Sequence, residues 1–264
     1  MDRLKDKVAV VTGGGTGIGR AICLEFAREG AHVVVVSNVE REAESVALEV
    51  RNLGVEGVAF TVDVTDSARV NEMAANVAHR LGNVDILVTS AGVMGERCPL
   101  TQTTDDGWRR TIEVNLNASF YCIRAFLPQM LERKAGRVIT ISSVSGKLPA
   151  ALNADYAASK HGVIGLSKAL ALELGLLGAS QITVNAICPG ATATPMVDSI
   201  NEHMAPLLGL SVDEFKKKMV ETKNIQKRVL DPAEIASMAV YLASDEGRGV
   251  TGQALNVCGG TVLC

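Results

Sequence analysis

Two side chains near the middle of the chain have the types and spacing for acid–base chemistry. Tyr156 and Lys160 are four residues apart, which places a phenol and an ammonium group on one face of a helix. A free tyrosine has a pKa of about 10 and is a poor proton donor near neutral pH. A cation held close stabilises the phenolate and lowers that pKa. Such a pair can also lie on an ordinary surface, so further polar residues have to support a proton-transfer site.

Two polar groups upstream provide that support. Ser143 stands thirteen residues before Tyr156, at the end of an apolar run, and follows Ser142. A hydroxyl group there can donate a hydrogen bond to a carbonyl oxygen and stabilise its developing charge. Asn115 lies inside a helical stretch, where asparagine is a poor helix former, which favours a polar role. Together these residues support a proton-transfer site at Tyr156 and Lys160.

A glycine-rich segment near the start of the chain predicts a phosphate-binding loop. It follows the first predicted strand and opens the first predicted helix. Gly13 allows a tight turn, Gly17 lets the backbone approach a pyrophosphate, and Gly19 lets helix and strand pack closely. The helix N-terminus then offers free N–H groups to an anion. A plain glycine-rich turn is the alternative. No Gly-Lys-Ser/Thr follows, which disfavours an ATPase.

Hydrophobic periodicity gives the elements that position these residues. Short β-branched runs alternate with longer amphipathic stretches, as in a parallel sheet covered by helices on both faces. The predicted strands are Lys7–Thr12, Ala31–Ser37, Val58–Asp63, Val84–Thr89, Arg137–Ser142, Ile182–Ile187 and Ala254–Val257. The predicted helices are Gly17–Glu29, Glu40–Leu53, Ser67–Leu81, Asp105–Leu131, Tyr156–Leu174 and Pro232–Leu242. This alternation predicts an α/β fold, a single-domain, doubly wound parallel sheet over residues 1–264.

One connection is far longer than the others. About 44 residues separate Ile187 from Pro232, where a strand-to-helix connection usually takes about 2–6. We expect a helical substrate lid over about residues 190–230. The alternative is a pair of ordinary surface helices. The Lys216–Lys218 run within it is typical of a solvated face, and we assign it no function.

Composition excludes several classes of protein. The chain has 264 residues, a formal net charge of −3 and six cysteines. This charge disfavours a nucleic-acid binder, and no apolar run reaches the length of about 18 residues that a membrane span needs. The cysteines lack metal-ligand spacing, and the opening residues lack the apolar segment of a signal peptide. We therefore expect a cytoplasmic enzyme without a metal site.

With these residues in place, the chain resembles the short-chain dehydrogenase/reductase family over essentially its whole length. The matching motifs are Thr12–Gly19, Asp63, Ala91-Gly92, Asn115, Ser143, Tyr156-x-x-x-Lys160 and Pro189-Gly190. The resemblance implies a Rossmann fold and a nicotinamide cofactor. It implies that Tyr156 is the general acid in reduction and the base in oxidation, that Ser143 polarises the substrate carbonyl, and that Lys160 lowers the Tyr156 pKa and binds the nicotinamide ribose. Asn115 would hold a water molecule linking Lys160 to solvent.

The resemblance also implies the cofactor contacts. Asp63 and Val64 would meet the adenine, although Asp63 could equally cap the next helix. Ile187, Thr192 and Thr194 would meet the nicotinamide end. The full set of cofactor-binding candidates is Gly13, Gly15, Thr16, Gly17, Ile18, Gly19, Ser37, Asn38, Arg41, Asp63, Val64, Ser90, Ala91, Gly92, Tyr156, Lys160, Pro189, Gly190, Thr192 and Thr194.

The choice of nicotinamide cofactor depends on the end of the second strand. NAD-binding proteins usually carry an acid there for the ribose 2′-hydroxyl group. This chain has Ser37 and Asn38 instead, and Arg41 could supply a charge for a 2′-phosphate. The sequence therefore favours NADP(H) over NAD(H). Ser90 replaces an asparagine common in the family, and we expect the cofactor wall to survive this change.

Local similarity around Tyr156 and in the C-terminal segment points to the aromatic-polyketide ketoreductases. The function predicted is a ketoreductase for a moderately apolar or acyl-type ketone. The alternative is an NAD-dependent dehydrogenase of a small alcohol, polyol or hydroxyacid. The substrate-pocket candidates are Val93, Met94, Ser145, Leu148, Asn153, Met196 and Ile200.

Two further classes remain open: a non-catalytic nucleotide-sensing protein on the same fold, and a methyltransferase. The first would be expected to lack part of the Ser143, Tyr156 and Lys160 set, and the second would leave the tyrosine–lysine pair without a task. The resemblance also implies a homotetramer, in which the helices at Asp105–Leu131 and Tyr156–Leu174 pair across one interface.

Overall fold

The computed structural model describes residues 2–263, and all side chains among them except those of residues 219–223. Seven strands form one sheet within this part of the chain. They are β1 (Val8–Thr12), β2 (His32–Ser37), β3 (Gly57–Thr61), β4 (Ile86–Thr89), β5 (Gly136–Ile141), β6 (Ile182–Pro189) and β7 (Ala254–Val257).

Nine α-helices of the described chain surround this sheet. They are α1 (Gly17–Arg28), α2 (Glu40–Asn52), α3 (Ser67–Leu81), α4 (Asp105–Ile112), α5 (Ala118–Arg133), α6 (Ala154–Leu176), α7 (Pro195–Leu207), α8 (Val212–Lys223) and α9 (Pro232–Ala243). Several begin where the sequence supplies a cap. Asp231 and Glu234 form a capping box at α9, and the Thr194 hydroxyl accepts a bond from Val197 N at α7.

The sheet order is β3-β2-β1-β4-β5-β6-β7, and every paired strand is parallel. The order reverses between β1 and β4, so a crevice opens there at the carboxyl ends of the strands. This arrangement confirms the predicted doubly wound α/β fold. The single-domain assignment for residues 1–264 stays a prediction.

The two faces of the sheet bury separate apolar clusters. Ala9 and Val11 of β1 belong to the cluster beneath α1, α2 and α9, while Val8 and Val10 belong to the cluster beneath α3, α5 and α6. Alternate residues of a strand point to opposite faces, so a strand covered on both sides is apolar throughout. The sheet is therefore a rigid platform whose carboxyl edge carries the polar residues.

The structure corrects the single long helix predicted for Asp105–Leu131. This stretch is α4, then one wide π-helical turn at Glu113–Asn117, then α5. Asn115 is buried within that turn. The extra residue of a π turn leaves the helical hydrogen-bond ladder locally unmade, and such turns occur frequently at functional sites. Apolar periodicity does not detect a one-residue insertion of this kind.

The long connection after β6 contains α7 and α8, which pack against each other. Lys216 forms an ion pair with Asp198, with 3.2 Å between Nζ and Oδ1. Among the described cysteines, five are free thiols, and Cys264 lies outside the described residues. Of the helices described, none has both the length and the apolar character required to cross a membrane.

Candidate active site

A cavity of about 510 Å³ lies at the carboxyl ends of the strands, where the sheet order reverses. It brings together the glycine-rich loop, the end of β2, the segments after β3 and β4, and the start of α7. Most of the cofactor-binding candidates line it: Gly13, Gly15, Thr16, Gly17, Ile18, Gly19, Ser37, Asn38, Asp63, Val64, Ser90, Ala91, Gly92, Tyr156, Lys160, Pro189, Gly190, Thr192 and Thr194. Arg41 does not line it.

The glycine-rich loop has the shape expected of a phosphate cradle. Gly13 and Gly17 have positive φ angles of 64° and 51°. A Cβ atom on Gly13 would lie 2.7 Å from the backbone nitrogen of Ala91, and one on Gly19 would lie 2.1 Å from the carbonyl oxygen of Gly13. Larger residues at either position would therefore push the loop away from the backbone against which it packs. These residues fit a dinucleotide whose pyrophosphate binds at that N-terminus.

Tyr156 and Ser143 meet at the other end of the cavity. Tyr156 lies in the first turn of α6, and Ser143 follows β5. Burial raises the pKa of the Tyr156 phenol, and the Ser143 hydroxyl and the Arg97 guanidinium lower it in part. The net shift of this pKa is upward, whereas the sequence predicts a pKa lowered by Lys160. The structure thus brings Ser143 and Tyr156 to one cavity, while their catalytic roles stay a prediction.

Lys160 is buried one helical turn after Tyr156. Its Nζ donates a hydrogen bond of 2.9 Å to the carbonyl oxygen of Ile141 and lies 5.7 Å from the centroid of the Tyr156 ring. Burial lowers the pKa of Lys160 to about 8. A lysine ammonium has three N–H donors, so it can also donate to a hydroxyl group in the cavity. Its effect on the pKa of the Tyr156 phenol in this arrangement is weak.

Asn115 lies behind the cavity wall and does not line the cavity. Its Oδ1 accepts a hydrogen bond of 2.7 Å from Val93 N, and its Nδ2 donates to Val93 O and to Ser159 Oγ, each at 3.0 Å. The side chain therefore joins the π turn, the segment after β4 and α6. This geometry gives Asn115 a structural task in holding the wall, while the predicted role in binding water stays a prediction.

The adenosine end of the cavity carries an acid that sequence reasoning missed. Ser37 Oγ donates a hydrogen bond of 3.2 Å to Glu42 Oε2, and Glu42 lines the cavity. The neighbouring Arg41 is exposed and does not line the cavity, and its assignment as a cofactor-binding residue stays a prediction. In the first turn of α2 successive side chains point about 100° apart, so only one of the two can face the cavity. No pattern in the sequence indicates which of the two faces inward.

Asp63 lies two residues beyond the end of β3 and lines the cavity, although the sequence placed it at the end of the strand. Its Oδ1 accepts hydrogen bonds from the backbone nitrogen and the hydroxyl of Thr65. Asp66 caps α3, since its side chain accepts from Ala68 N and Arg69 N. The alternative in which Asp63 caps that helix is therefore wrong.

The predicted substrate pocket is only partly assembled. Val93 and Met196 line the cavity. The other candidates do not line it: Met94, Ser145, Leu148, Asn153 and Ile200. Leu148 is 61% exposed, and Asn153 is buried with both amide atoms unpaired. The segments after β4 and β5 are irregular, so sequence spacing could not predict which of their side chains face inward.

Three further polar residues stand at or near the cavity without having been predicted. Arg110 and Glu113 line it from α4 and the π turn. Arg97 lies outside the lining but stacks on Tyr156, with its Cζ 5.6 Å from the ring centroid. A positive φ of 55° at Arg97 sets the direction of its side chain. Sequence periodicity carries no signal for such a loop conformation.

Comparisons with known proteins agree with this geometry. A family model described as short chain dehydrogenase matches residues 7–205. A putative ketoacyl reductase from Streptomyces coelicolor is 39% identical over 256 residues, covering 96% of this chain and 96% of the relative. The crystal structure of a variant of actinorhodin polyketide ketoreductase with NADPH superposes with a TM-score of 0.91 and 38% identity, covering 97% of each chain. The NAD+-bound xylitol dehydrogenase gives a TM-score of 0.92 and 28% identity, covering 97% of this chain and 99% of that one.

Proposed function

The chain belongs to the short-chain dehydrogenase family, and from that premise we propose that it reduces a moderately apolar or acyl-type ketone to a secondary alcohol with a nicotinamide cofactor. It is an NAD(P)-dependent oxidoreductase of the ketoreductase type. One observation carries the proposal: Ser143, Tyr156 and Lys160 line the same cavity as the glycine-rich loop. The methyltransferase and the nucleotide-sensing alternatives leave this set without a task.

The residues of the chain divide the work of the reaction. Gly13, Gly17 and Gly19 hold the pyrophosphate of the cofactor against the N-terminus of α1, and Lys160 binds its nicotinamide ribose. The bound cofactor supplies or accepts the hydride. Ser143 donates a hydrogen bond to the carbonyl oxygen of the substrate, which stabilises the charge that develops there.

Tyr156 moves the proton. In reduction its hydroxyl donates a proton to the former carbonyl oxygen, and in oxidation its phenolate removes that proton again. Burial raises the pKa of this phenol, so the proton stays on the free protein at neutral pH. Positive charge close to the ring favours the phenolate when the proton leaves.

An acyl-type ketone fits the substrate end better than a free sugar does. Val93, Met196 and Val197 supply apolar surface to the cavity, which suits the carbon skeleton of such a ketone better than the hydroxyls of a sugar. The relative from Streptomyces coelicolor is named a ketoacyl reductase, which supports the same class of substrate. The structural likeness to xylitol dehydrogenase favours the second candidate, an NAD-dependent dehydrogenase of a small alcohol or polyol.

The cofactor choice turns on Glu42. The sequence predicts NADP(H), but the comparisons support only the use of NAD(P), since their structures hold both forms. Glu42 brings a carboxylate to the adenosine end, where Arg41 is exposed and outside the lining. A carboxylate repels a 2′-phosphate and accepts a hydrogen bond from a 2′-hydroxyl group. This position of Glu42 opposes the sequence-based preference and favours NAD(H).

A homotetramer and a cytoplasmic location stay part of the proposal. Large apolar side chains are exposed on the helices expected to pair: Trp108 on α4, Phe120 on α5, and Leu172 and Leu176 on α6. Their exposure supports assembly through these faces. Light scattering after gel filtration measures the mass directly, and a monomer would contradict this part of the proposal.

A substrate panel tests the proposed function. The purified protein is assayed with NADH and NADPH against acetoacetyl-CoA and α-tetralone, and with NAD+ and NADP+ against xylitol and 3-hydroxybutyrate. We expect kcat/KM for at least one of the two ketones to exceed that for xylitol and 3-hydroxybutyrate. Turnover of the polyol or hydroxyacid alone would favour the second candidate. Failure to bind either cofactor would contradict both.

A further inference from the structure

Arg97 presents a positive charge to Tyr156 from outside the cavity. It lies in the segment that follows β4, and its Cζ stands 5.6 Å from the centroid of the Tyr156 ring. Lys160 Nζ stands 5.7 Å from the same centroid. The phenol ring therefore has two cations within about 6 Å, the range in which a cation is attracted to an aromatic ring.

The guanidinium of Arg97 has no hydrogen bond or ion pair with the residues that the structure describes. Its Nε is buried and unpaired, and burial lowers its pKa. Burying a charged group without a partner costs free energy, so such a group usually has a task. The Arg97 charge acts on Tyr156 and, more weakly, on Asp155.

Nearby carboxylates are engaged with neutral donors. Asp155 is buried and accepts hydrogen bonds from Tyr156 N, Glu96 N and Thr111 Oγ1. Arg97 forms no ion pair with Asp155, although the two charges attract each other. Asp155 therefore accepts hydrogen bonds from neutral backbone and side-chain donors, and it forms no salt bridge with the guanidinium of Arg97.

The segment that carries Arg97 is held on two sides. Glu96 N donates to Asp155, and the Glu96 carboxylate accepts from the backbone nitrogen and the hydroxyl of Thr104, at 2.7 and 2.8 Å. A Cβ atom on Gly95 would lie 2.5 Å from the Asp155 carboxylate, so the backbone approaches α6 closely there. These contacts fix the direction in which Arg97 points.

We propose that Arg97 is a positioning residue that stabilises the phenolate of Tyr156 when the tyrosine gives up its proton to the substrate. The proposal rests on the proposed function, in which Tyr156 is the proton donor. Negative charge on a phenolate spreads from the oxygen into the ring, so a cation beside the ring attracts the ionised form more strongly than the neutral one. The product of the proton transfer is therefore stabilised at its ring as well as at its oxygen.

The charged and titratable groups around Tyr156 are few. Ser143 approaches from the end of β5, Lys160 from the next turn of α6, and Arg97 from the segment after β4. Asp155 precedes Tyr156 and binds its backbone nitrogen. Arg97 is the one whose charge lowers the pKa of the phenol in this structure, although burial outweighs it.

A role for Arg97 as a direct contact for an anionic substrate is less well supported. The cavity that contains the reacting groups is lined by Arg110 and Lys160, while Arg97 does not line it. A substrate carboxylate in this cavity would meet those two cations first. Arg97 acts through Tyr156.

Direct titration of the phenol tests this proposal without any turnover. The chain has three tyrosines, so protein labelled with carbon-13 at tyrosine Cζ gives three signals, and Tyr156→Phe assigns one. Chemical shifts are followed against pH in the protein alone and with saturating oxidised cofactor, for the wild type, Arg97→Met and Arg97→Lys. We expect Arg97→Met to raise the pH midpoint of the Tyr156 titration by about one unit, because it removes one half-buried positive charge near the ring. Arg97→Lys keeps the charge and is expected to shift it less.

Arg109→Met is the matched control. Arg109 lies on α4 with its charge exposed and paired with Asp105 and Asp106, so its removal should leave the midpoint unchanged. The kcat/KM profile for alcohol oxidation should move with the midpoint in Arg97→Met, equally for neutral and carboxylated substrates. An unmoved midpoint overturns the proposal, as does an equal shift in Arg109→Met or a loss confined to anionic substrates. Absence of ketone turnover in the wild type would contradict the proposed function, and the titration would still decide the role of Arg97.

Discussion

The ammonium group of Lys160 lies 5.7 Å from the centroid of the Tyr156 ring, one helical turn along α6, and donates its hydrogen bond to the carbonyl oxygen of Ile141. In this arrangement the lysine is buried without an opposite charge, and burial lowers its pKa to about 8. The buried charge of Lys160 therefore costs folding free energy, and this cost is offset only when the ammonium binds a cofactor or substrate.

Replacing Lys160 should stabilise the protein. The folded pKa of about 8 lies below the ordinary value of 10.5, so the unfolded chain binds more protons between these pH values, and the stability contributed by this group rises with pH there. Lys160→Met should raise the free energy of unfolding at pH 7 by about 1–3 kcal/mol, after the loss of the bond to Ile141. Urea unfolding should show this gain shrinking from pH 8 to 10.5. Lys168→Met, an exposed change on the same helix, serves as control, and a gain independent of pH would contradict the account.

Glu42→Gln should change the choice of cofactor. The substitution keeps the shape and removes the carboxylate that opposes a 2′-phosphate at the adenosine end. We expect the ratio of the NADPH and NADH dissociation constants to move about tenfold towards NADPH, which corresponds to about 1.4 kcal/mol. Fluorescence titration of both cofactors measures this ratio. Glu44→Gln, an exposed change on the same helix, should leave it unaltered. An unchanged ratio in Glu42→Gln would show that the Glu42 carboxylate does not determine the choice of cofactor.

Asn115→Ala should destabilise the fold and weaken cofactor binding together. The change leaves the backbone N–H and C=O of Val93 without their partners, which costs about 2–3 kcal/mol. Urea unfolding measures the loss of stability. Asn117→Ala lies two residues away in the same π turn and breaks one side-chain bond to Glu113, so it should cost less. Equal effects of the two substitutions would show that the link to Val93 carries no special weight.

Two glycine substitutions separate close packing from helix propensity. A Cβ atom on Gly19 would stand 2.1 Å from the carbonyl oxygen of Gly13, so Gly19→Ala must displace the phosphate loop. We expect a loss of cofactor affinity of at least about tenfold. Gly165 in α6 has nothing within 4 Å of such an atom, and Gly165→Ala should stabilise the protein by about 0.5–1 kcal/mol. Equal affinity for the cofactor in the two variants would contradict the close approach.

Much of the fold is readable from the sequence, because buried parallel strands and amphipathic helices leave strong periodic signals. The predicted strand at Ala254–Val257 and the predicted helix at Ser67–Leu81 have the bounds that the structure gives. The prediction of one helix from Asp105 to Leu131 is wrong, because the apolar pattern continues on both sides of the π turn and does not reveal it.

The residues of the candidate site also fall into those that the sequence predicts and those that it does not. Residues held by regular elements, such as Gly19, Tyr156 and Lys160, face the cavity as their spacing predicts. Side chains on irregular segments depend on backbone angles that no local pattern encodes, and the positive φ at Arg97 is an example. Glu42 was missed for a related reason. Glu42 and its neighbour Arg41 both carry a charge near the start of α2, and the residue at which α2 begins decides which of the two side chains faces the cavity.

The most direct test of the central claim compares Tyr156→Phe with the wild type and with Tyr241→Phe, which changes a half-exposed tyrosine of α9. The measurement is kcat for ketone reduction at saturating cofactor, together with the cofactor dissociation constant. We predict that Tyr156→Phe lowers kcat by about 10²–10⁴-fold, as the loss of a general acid does, while the dissociation constant changes little. Tyr241→Phe should keep both values. If Tyr156→Phe reduces the ketone at the wild-type rate, the proton comes from another group, and the proposed mechanism is wrong.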